Sequence, residues 1–292
     1  MAVAAQAVRG STRGGRRTHG IGWIGATYVL LVFFVLWTVI PFLWMFLASI
    51  KTNKEIYSPE FTIFPKQVFL GHYNDLVVKG PFVTWFWNST IVSLTSTLLS
   101  LVLGSFGAYA ITRLQFKGRK VLAVGLVGTY LLPPSLLFIP LFQIIANLNM
   151  TDSIYGLMLV YPTFTLPFCT WLLMSYFRSI PVELEEAALI DGCGRLGVLF
   201  RIVLPLAAPA LVVVALFSFT QGWNEFLYAF VFTSSTSSRT LTVGLTLMLG
   251  EDVFYWGKMM AGALLTALPP VITYTLAQRL VIRGLTVGGV KG

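Results

Sequence analysis

The sequence predicts an all-α polytopic membrane protein with six transmembrane helices and both termini in the cytoplasm. Three observations predict it: an apolar composition, six long uncharged runs, and a one-sided distribution of Lys and Arg. Of 292 residues, 56% are hydrophobic and 11% are charged, with a mean hydropathy of +0.80. That leaves too little polar surface to cover a water-soluble globule of this size.

The elements follow in order. Residues 1–20 are rich in Arg and Gly and cannot build a core, so they read as a flexible basic cytoplasmic leader. Uncharged runs then extend over Thr18–Ile50, Gly80–Thr112, Val121–Thr151, Ser153–Phe177, Ile202–Asn224 and Met259–Gln278. Each supplies the ~20 apolar residues that cross a hydrocarbon core. The first run is far longer than the ~7–15 residues of a signal-peptide core, so it reads as an uncleaved helix. Thr240–Gly250 is short, threonine-rich and flanked by Arg239 and Glu251, which predicts a segment outside the lipid with a hydrated backbone. With six spans, Arg9, Arg13, Arg16, Arg17, Arg113, Lys117, Arg119, Lys120, Arg178, Arg195, Arg201, Arg279, Arg283 and Lys291 share one face. Lys51, Lys54, Lys66, Lys79, Arg239 and Lys258 share the other. The positive-inside rule makes the richer face cytoplasmic. The net charge of +9 therefore reads as topology, and no basic groove with aromatic stacking residues points to nucleic acid.

Several chemistries find no residues to carry them. Cys169 and Cys193 fit neither a disulfide framework nor a metal-ligand spacing, and His19 and His72 fall on opposite faces, so no metal site is predicted. Gly20-Ile-Gly22-Trp-Ile-Gly25 matches GxGxxG but enters a membrane helix without a preceding strand, and no GxxxxGK[ST] phosphate loop occurs. The chain is thus not expected to bind a cofactor or to be an enzyme, and any ATP that drives it must be bound elsewhere. The spans also lack the midplane ionisable groups on which ion-coupled carriers depend.

Two membrane features are pathway candidates. Pro133, Pro134 and Pro140 each remove a helix hydrogen bond, so Leu131–Gln143 should be kinked or unwound, which suits a gate as well as a purely structural kink. Gln143 and Asn147 follow the break. In Trp223-Asn224-Glu225-Phe226, Asn224 and Glu225 lie ~30 Å beyond Pro205 at the outer edge of the core, counting 1.5 Å per residue. Two readings are open: an interfacial aromatic belt with a wet carboxylate, or a polar lining at the outer mouth of a pathway.

The stretch Glu183–Pro205 carries Glu183, Glu185, Glu186 and Asp191, four of the eleven acidic residues. Ser179-Ile180-Pro181 suits a helix start, the glutamates suit its positive end, and Gly192 suits a left-handed close, giving a helix of about 11 residues. Leu184, Ala187, Ala188 and Asp191 share one face by 3–4 spacing, with alanines small enough for another backbone to approach. This describes an exposed knob for a partner, or a capped surface helix that only reverses the chain.

Glu186-Ala187-Ala188, three residues, Gly192, nine residues, then Ile202-Val203-Leu204-Pro205 resembles the EAA loop, EAA-x3-G-x9-I-x-LP, of permease subunits of binding-protein-dependent ABC importers. The loop falls between predicted helices 4 and 5, as in the maltose-type permeases. The end, Arg283-Gly-Leu-Thr-Val-Gly-Gly-Val-Lys-Gly292, is similar to the GLTAGGVKG close of the MalG-like carbohydrate branch, and Trp223–Phe226 resembles that branch's WN-x-F.

The resemblance implies a permease domain over residues 21–283 with its coupling loop at 178–204, and a cytoplasmic tail over 284–292. It implies that Glu183, Glu186, Ala187, Ala188, Asp191, Gly192, Ile202, Leu204 and Pro205 couple to a separate ABC ATPase dimer, which binds ATP and Mg. It also implies tail contacts at Gly288, Gly289, Val290, Lys291 and Gly292, and a loop over Phe232–Trp256 that reaches an extracytoplasmic solute-binding protein. A second permease subunit would complete the pathway for a di- or oligosaccharide. A permease for glycerol-3-phosphate, polyamine or another solute, and a stand-alone carrier or channel, remain as alternatives.

Overall fold

The computed structural model describes residues 21–250 and 255–288. The leader, Gly289–Gly292 and part of the Phe232–Trp256 loop lie outside the described residues. The described chain is helical, without strands, and divides after Met45 into two compact units.

The first unit contributes most of α1 (Ile21–Ser49), whose side chains from 25 to 44 are exposed on every side. A helix that is apolar all round and finds no core to bury in is what a lipid environment accommodates. In the second unit, the short helices α2 (Asn53–Ile56) and α3 (Gly71–Val77) lead into α4 (Phe82–Arg113), a 32-residue helix.

The third predicted span is two helices. α5 (Arg119–Tyr130) ends before Pro133 and Pro134, a single 3-10 turn spans Pro134–Leu136, and α6 (Phe138–Asn147) resumes. The prolines lack the N–H groups that a continuous helix would use, which places the break where the sequence predicts it. The fourth span is α7 (Ile154–Ser179), which keeps Pro162 and Pro167 inside it. The predicted knob is α8 (Val182–Ile190), followed by α9 (Arg195–Val198), a π-helical turn at Leu199–Val203, and α10 (Leu204–Leu206).

The predicted fifth span is not straight. Arg195–Leu206 and the following α11 (Ala208–Asn224) meet at 81°, between Pro205 and Pro209. α12 (Leu227–Phe232), α13 (Leu241–Leu247) and α14 (Trp256–Gly288) complete the chain. Among the described residues, four helices are long and apolar enough to cross a membrane, or five if the bent pair is one span.

α4 packs chiefly on α7 and α11, and α11 also packs on α14. Small hydroxyl residues make the first contact close. Ser93, Ser96 and Ser100 are buried on α4, and Ser100 Oγ lies 2.7 Å from Thr165 Oγ1 of α7. Small residues with interhelical hydrogen bonds are what hold helices together where lipid removes the hydrophobic drive.

Thr240–Gly250 departs from its predicted hydrated state. Leu241, Val243, Gly244 and Leu245 are buried, and a Cβ on Gly244 would fall 2.2 Å from the Trp85 ring. The helix closes its own backbone hydrogen bonds and gains apolar contact with α4, which offsets leaving water.

Candidate functional site

The α8 knob hangs from the end of the bundle where α4 and α7 both terminate. Pro181 immediately precedes the helix, its missing N–H costing nothing there, and Glu183 lies in the first turn beside the positive end of the dipole. The helix has nine residues rather than about 11. Gly192 stops it at φ +85°, a conformation an L side chain adopts only with strain, and Gly192 N donates to Leu189 O at 3.1 Å.

Of the face predicted to meet a partner, Leu184, Ala187 and Asp191 are exposed and Ala188 alone turns inward. Glu185 and Ala188 are the buried residues, while Glu183, Leu184, Glu186, Ala187 and Asp191 are exposed. Ala188 joins the core formed by Tyr109, Phe177, Ile180, Val198 and Val203, against which Ile202 and Leu204 also pack, so it is not open to a partner backbone. Pro205 is exposed.

A carboxylate goes inward because Arg113 meets it. Arg113 Nε donates to Glu185 Oε1 at 2.5 Å, with the two side chains 7% and 2% exposed. The same guanidinium donates from Nη2 to the carbonyls of Phe177 at 2.6 Å and Ile180 at 3.0 Å. One side chain at the end of α4 thereby satisfies the last carbonyls of α7 and locks the knob. Glu185 was read only as one acid among four. The signal that identifies it is its i, i+3 spacing to Ala188, once a basic residue is known to lie opposite.

The far end of the bundle carries a second polar assembly. Asp152 stands in a left-handed conformation at φ 52°, and its Oδ1 accepts from Ser234 N at 2.7 Å, Ser235 N at 2.8 Å, Ser235 Oγ at 3.1 Å and Ser238 Oγ. These bonds, from Ser238 first, hold the Asp152 carboxyl well below the usual aspartate range. From α4, Asn88 Nδ2 donates to the carbonyls of Ser237 at 2.8 Å and Arg239 at 2.9 Å, and Trp85 Nε1 donates to that of Thr236 at 2.9 Å. The first part of the Phe232–Trp256 loop is thus fastened to the protein body and does not project freely. Asp152 was visible in the sequence as the single charge between two long uncharged runs.

Glu225 is half-buried and has bonding partners that neither reading foresaw. Its carboxylate accepts from Tyr161 Oη at 2.9 Å, Tyr228 N at 2.8 Å and Ala229 N at 3.0 Å, so it caps α12. Its carbonyl accepts from Thr242 Oγ1 at 2.8 Å. Tyr228 Oη in turn donates to Pro134 O at 2.7 Å, which brings the broken span and Glu225 together through α12. Asn224, Gln143 and Asn147 are exposed, as are Pro133 and Pro134. Gly288 is the last residue of α14, while Gly289, Val290, Lys291 and Gly292 lie outside the described residues.

The geometry defines a class: a multi-pass helical membrane component whose one polar knob is rigidly tied to two long helices. The chain belongs to the family of binding-protein-dependent transport system inner membrane components, whose model matches residues 100–287. It is 43% identical over 267 residues to the inner membrane ABC transporter permease protein YcjP of Escherichia coli K12, covering 91% of this chain and 95% of that one. It is 38% identical over 252 residues to the sulfoquinovosyl glycerol transport system permease protein SmoH of Agrobacterium fabrum, covering 86% and 88%. It is 35% identical over 258 residues to the trehalose/maltose transport system permease protein MalG of Thermococcus litoralis, covering 86% and 91%. In fold, the chain is similar to a bacterial ABC transporter involved in the import of the acidic polysaccharide alginate, with TM-score 0.77, 24% identity, and coverage of 88% and 95%.

Proposed function

We propose that this chain is the permease subunit of a carbohydrate ABC importer of the MalG-like branch, forming half of a translocation pathway for a di- or oligosaccharide. The observation that carries the reading is the α8 knob: exposed Glu183, Glu186 and Asp191 on a short helix whose buried Glu185 is bonded to Arg113 at the end of α4. A load on the exposed face is transmitted to α4 and α7 without slack, which is what coupling to an ATPase requires.

In this reading the knob faces the cytoplasm, both termini share that side, and six crossings arise when α5 with α6 counts as the third. ATP and Mg belong to a separate ATPase dimer. A second permease subunit completes the pathway, and a solute-binding protein meets the Asp152 end. The sugar assignment is supported by relatives that carry sulfoquinovosyl glycerol and trehalose/maltose transport in their names.

The test is to tag the chain in its native membrane, extract it gently and identify its companions by mass spectrometry. A P-loop ATPase and a second permease are the expected companions. Glu186→Lys should leave insertion intact and cut ATPase recovery by about tenfold, because it places a cation where a carboxylate is read. Full ATPase recovery and normal uptake in that variant would overturn the assignment.

A further inference from the structure

Beside the knob lies a cavity of about 190 Å³ lined by Ile111 and Thr112 of α4, Arg119, Lys120 and Ala123 of α5, and Arg178 of α7. Three helices line one concavity, and two of them, α5 and α7, bring three cations to it. The ion pairs among the described residues are Lys66 with Glu60, Lys79 with Asp75, and Arg113 with Glu185, so no carboxylate neutralises this group. Arg119 Nη1 makes one long bond, 3.3 Å, to Leu114 O. The start of α5 adds to the field: its N-cap is Gly118 at φ +91°, and no side chain caps its first amides. A topological signal requires only that cations be on the correct side. It does not require that they converge on a cavity, and Lys117, exposed and nearby in sequence, does not line it.

We infer that this pocket binds the phosphate headgroup of an anionic phospholipid. Phosphate is the chemistry that three converging cations and uncapped helix amides recognise. The lipid source follows from what adjoins the pocket. Val121, Leu122 and Val124, on the next turn of α5, are 75%, 54% and 73% exposed, an apolar track on which acyl chains lie. A soluble phosphate has no use for such a track. A lipid held here bridges α4, α5 and α7 at the end of the bundle that carries the knob.

The test uses the full-length chain with its accompanying subunits in a neutral detergent, with retained lipid read by native mass spectrometry. One phosphatidylglycerol should persist under conditions that strip phosphatidylcholine. At about fivefold per cation, Lys120→Gln or Arg178→Gln should weaken retention about fivefold and the triple R119Q/K120Q/R178Q about a hundredfold. Lys117→Gln should leave it unchanged. The single variants serve if the triple does not fold. Equal loss in Lys117→Gln would mean diffuse surface charge and overturn the site, as would undiminished retention in the single variants. Glycerol phosphate binding as tightly as phosphatidylglycerol would replace the lipid with a soluble anion. Retention of no lipid, with the pocket cations protected from amine- and guanidine-directed labelling only when the ATPase is present, would mean a protein contact instead.

Discussion

At the residue scale, the two polar assemblies make opposite demands. Arg113 and Glu185 are buried, so removing one partner strands the other. Arg113→Gln or Glu185→Gln should cost about 3–5 kcal/mol and uncouple the knob from α4, whereas R113L/E185L should recover much of the stability and none of the coupling. Thermal unfolding in detergent and sugar-stimulated ATP hydrolysis separate the two effects. Additive losses in the double variant would show that the pair does not act as a unit.

Asp152 is exposed and works through ionised hydrogen bonds. Its folded value lies below the ordinary aspartate value of 3.8, so the staple is fully present above that value and is lost as pH falls through the lower folded one. Hydrogen exchange at Ser234 and Ser235 should therefore be unchanged in protection factor from neutral pH down to the ordinary aspartate value. In Asp152→Ala it should rise about tenfold at neutral pH. Equal protection in the variant would remove Asp152 from the loop's support.

At the element scale, the α8 turn and the fifth span show how local chemistry meets packing. Gly192 has open space around its Cβ position, so strain at φ +85° is the cost a side chain meets. Gly192→Ala should cost about 1–2 kcal/mol and lower coupling, while Gly194→Ala, at an ordinary φ of −74°, should cost less. Equal effects on ATPase recovery would show that the turn geometry is not read. Helix start, glycine stop and proline break were legible because each depends on one or two neighbouring residues. The inward face of α8 was not, because Glu185 is buried only on account of Arg113, 72 positions away. The 81° bend before α11 was missed although Pro205 and Pro209 flank it, because an uncharged run reports length and not direction.

At the scale of the whole molecule, the two polar ends face opposite sides of one bundle whose middle is small hydroxyls and apolar rings. In the proposed function, coupling runs along α4 and α7, the helices that touch both ends. Deleting Gly288–Gly292 should lower sugar-stimulated ATP hydrolysis severalfold while leaving subunit recovery intact, because the resemblance gives the tail a contact below the membrane. Unchanged stimulation in proteoliposomes would remove the tail from the mechanism.

The sequence by itself determined the membrane class, the uneven spacing of Lys and Arg between apolar runs, the proline break, the knob and the family resemblance. These follow from composition, from charge counting, or from motifs within some 20 residues. Only the tertiary structure decided that Glu185 turns inward, that Glu225 caps α12, that Asp152 fastens the serine loop, that Thr240–Gly250 packs against Trp85, and that three cations share a cavity. Each of these is a contact between residues distant in sequence, where the energy of burying a polar group depends on a partner that no local pattern names.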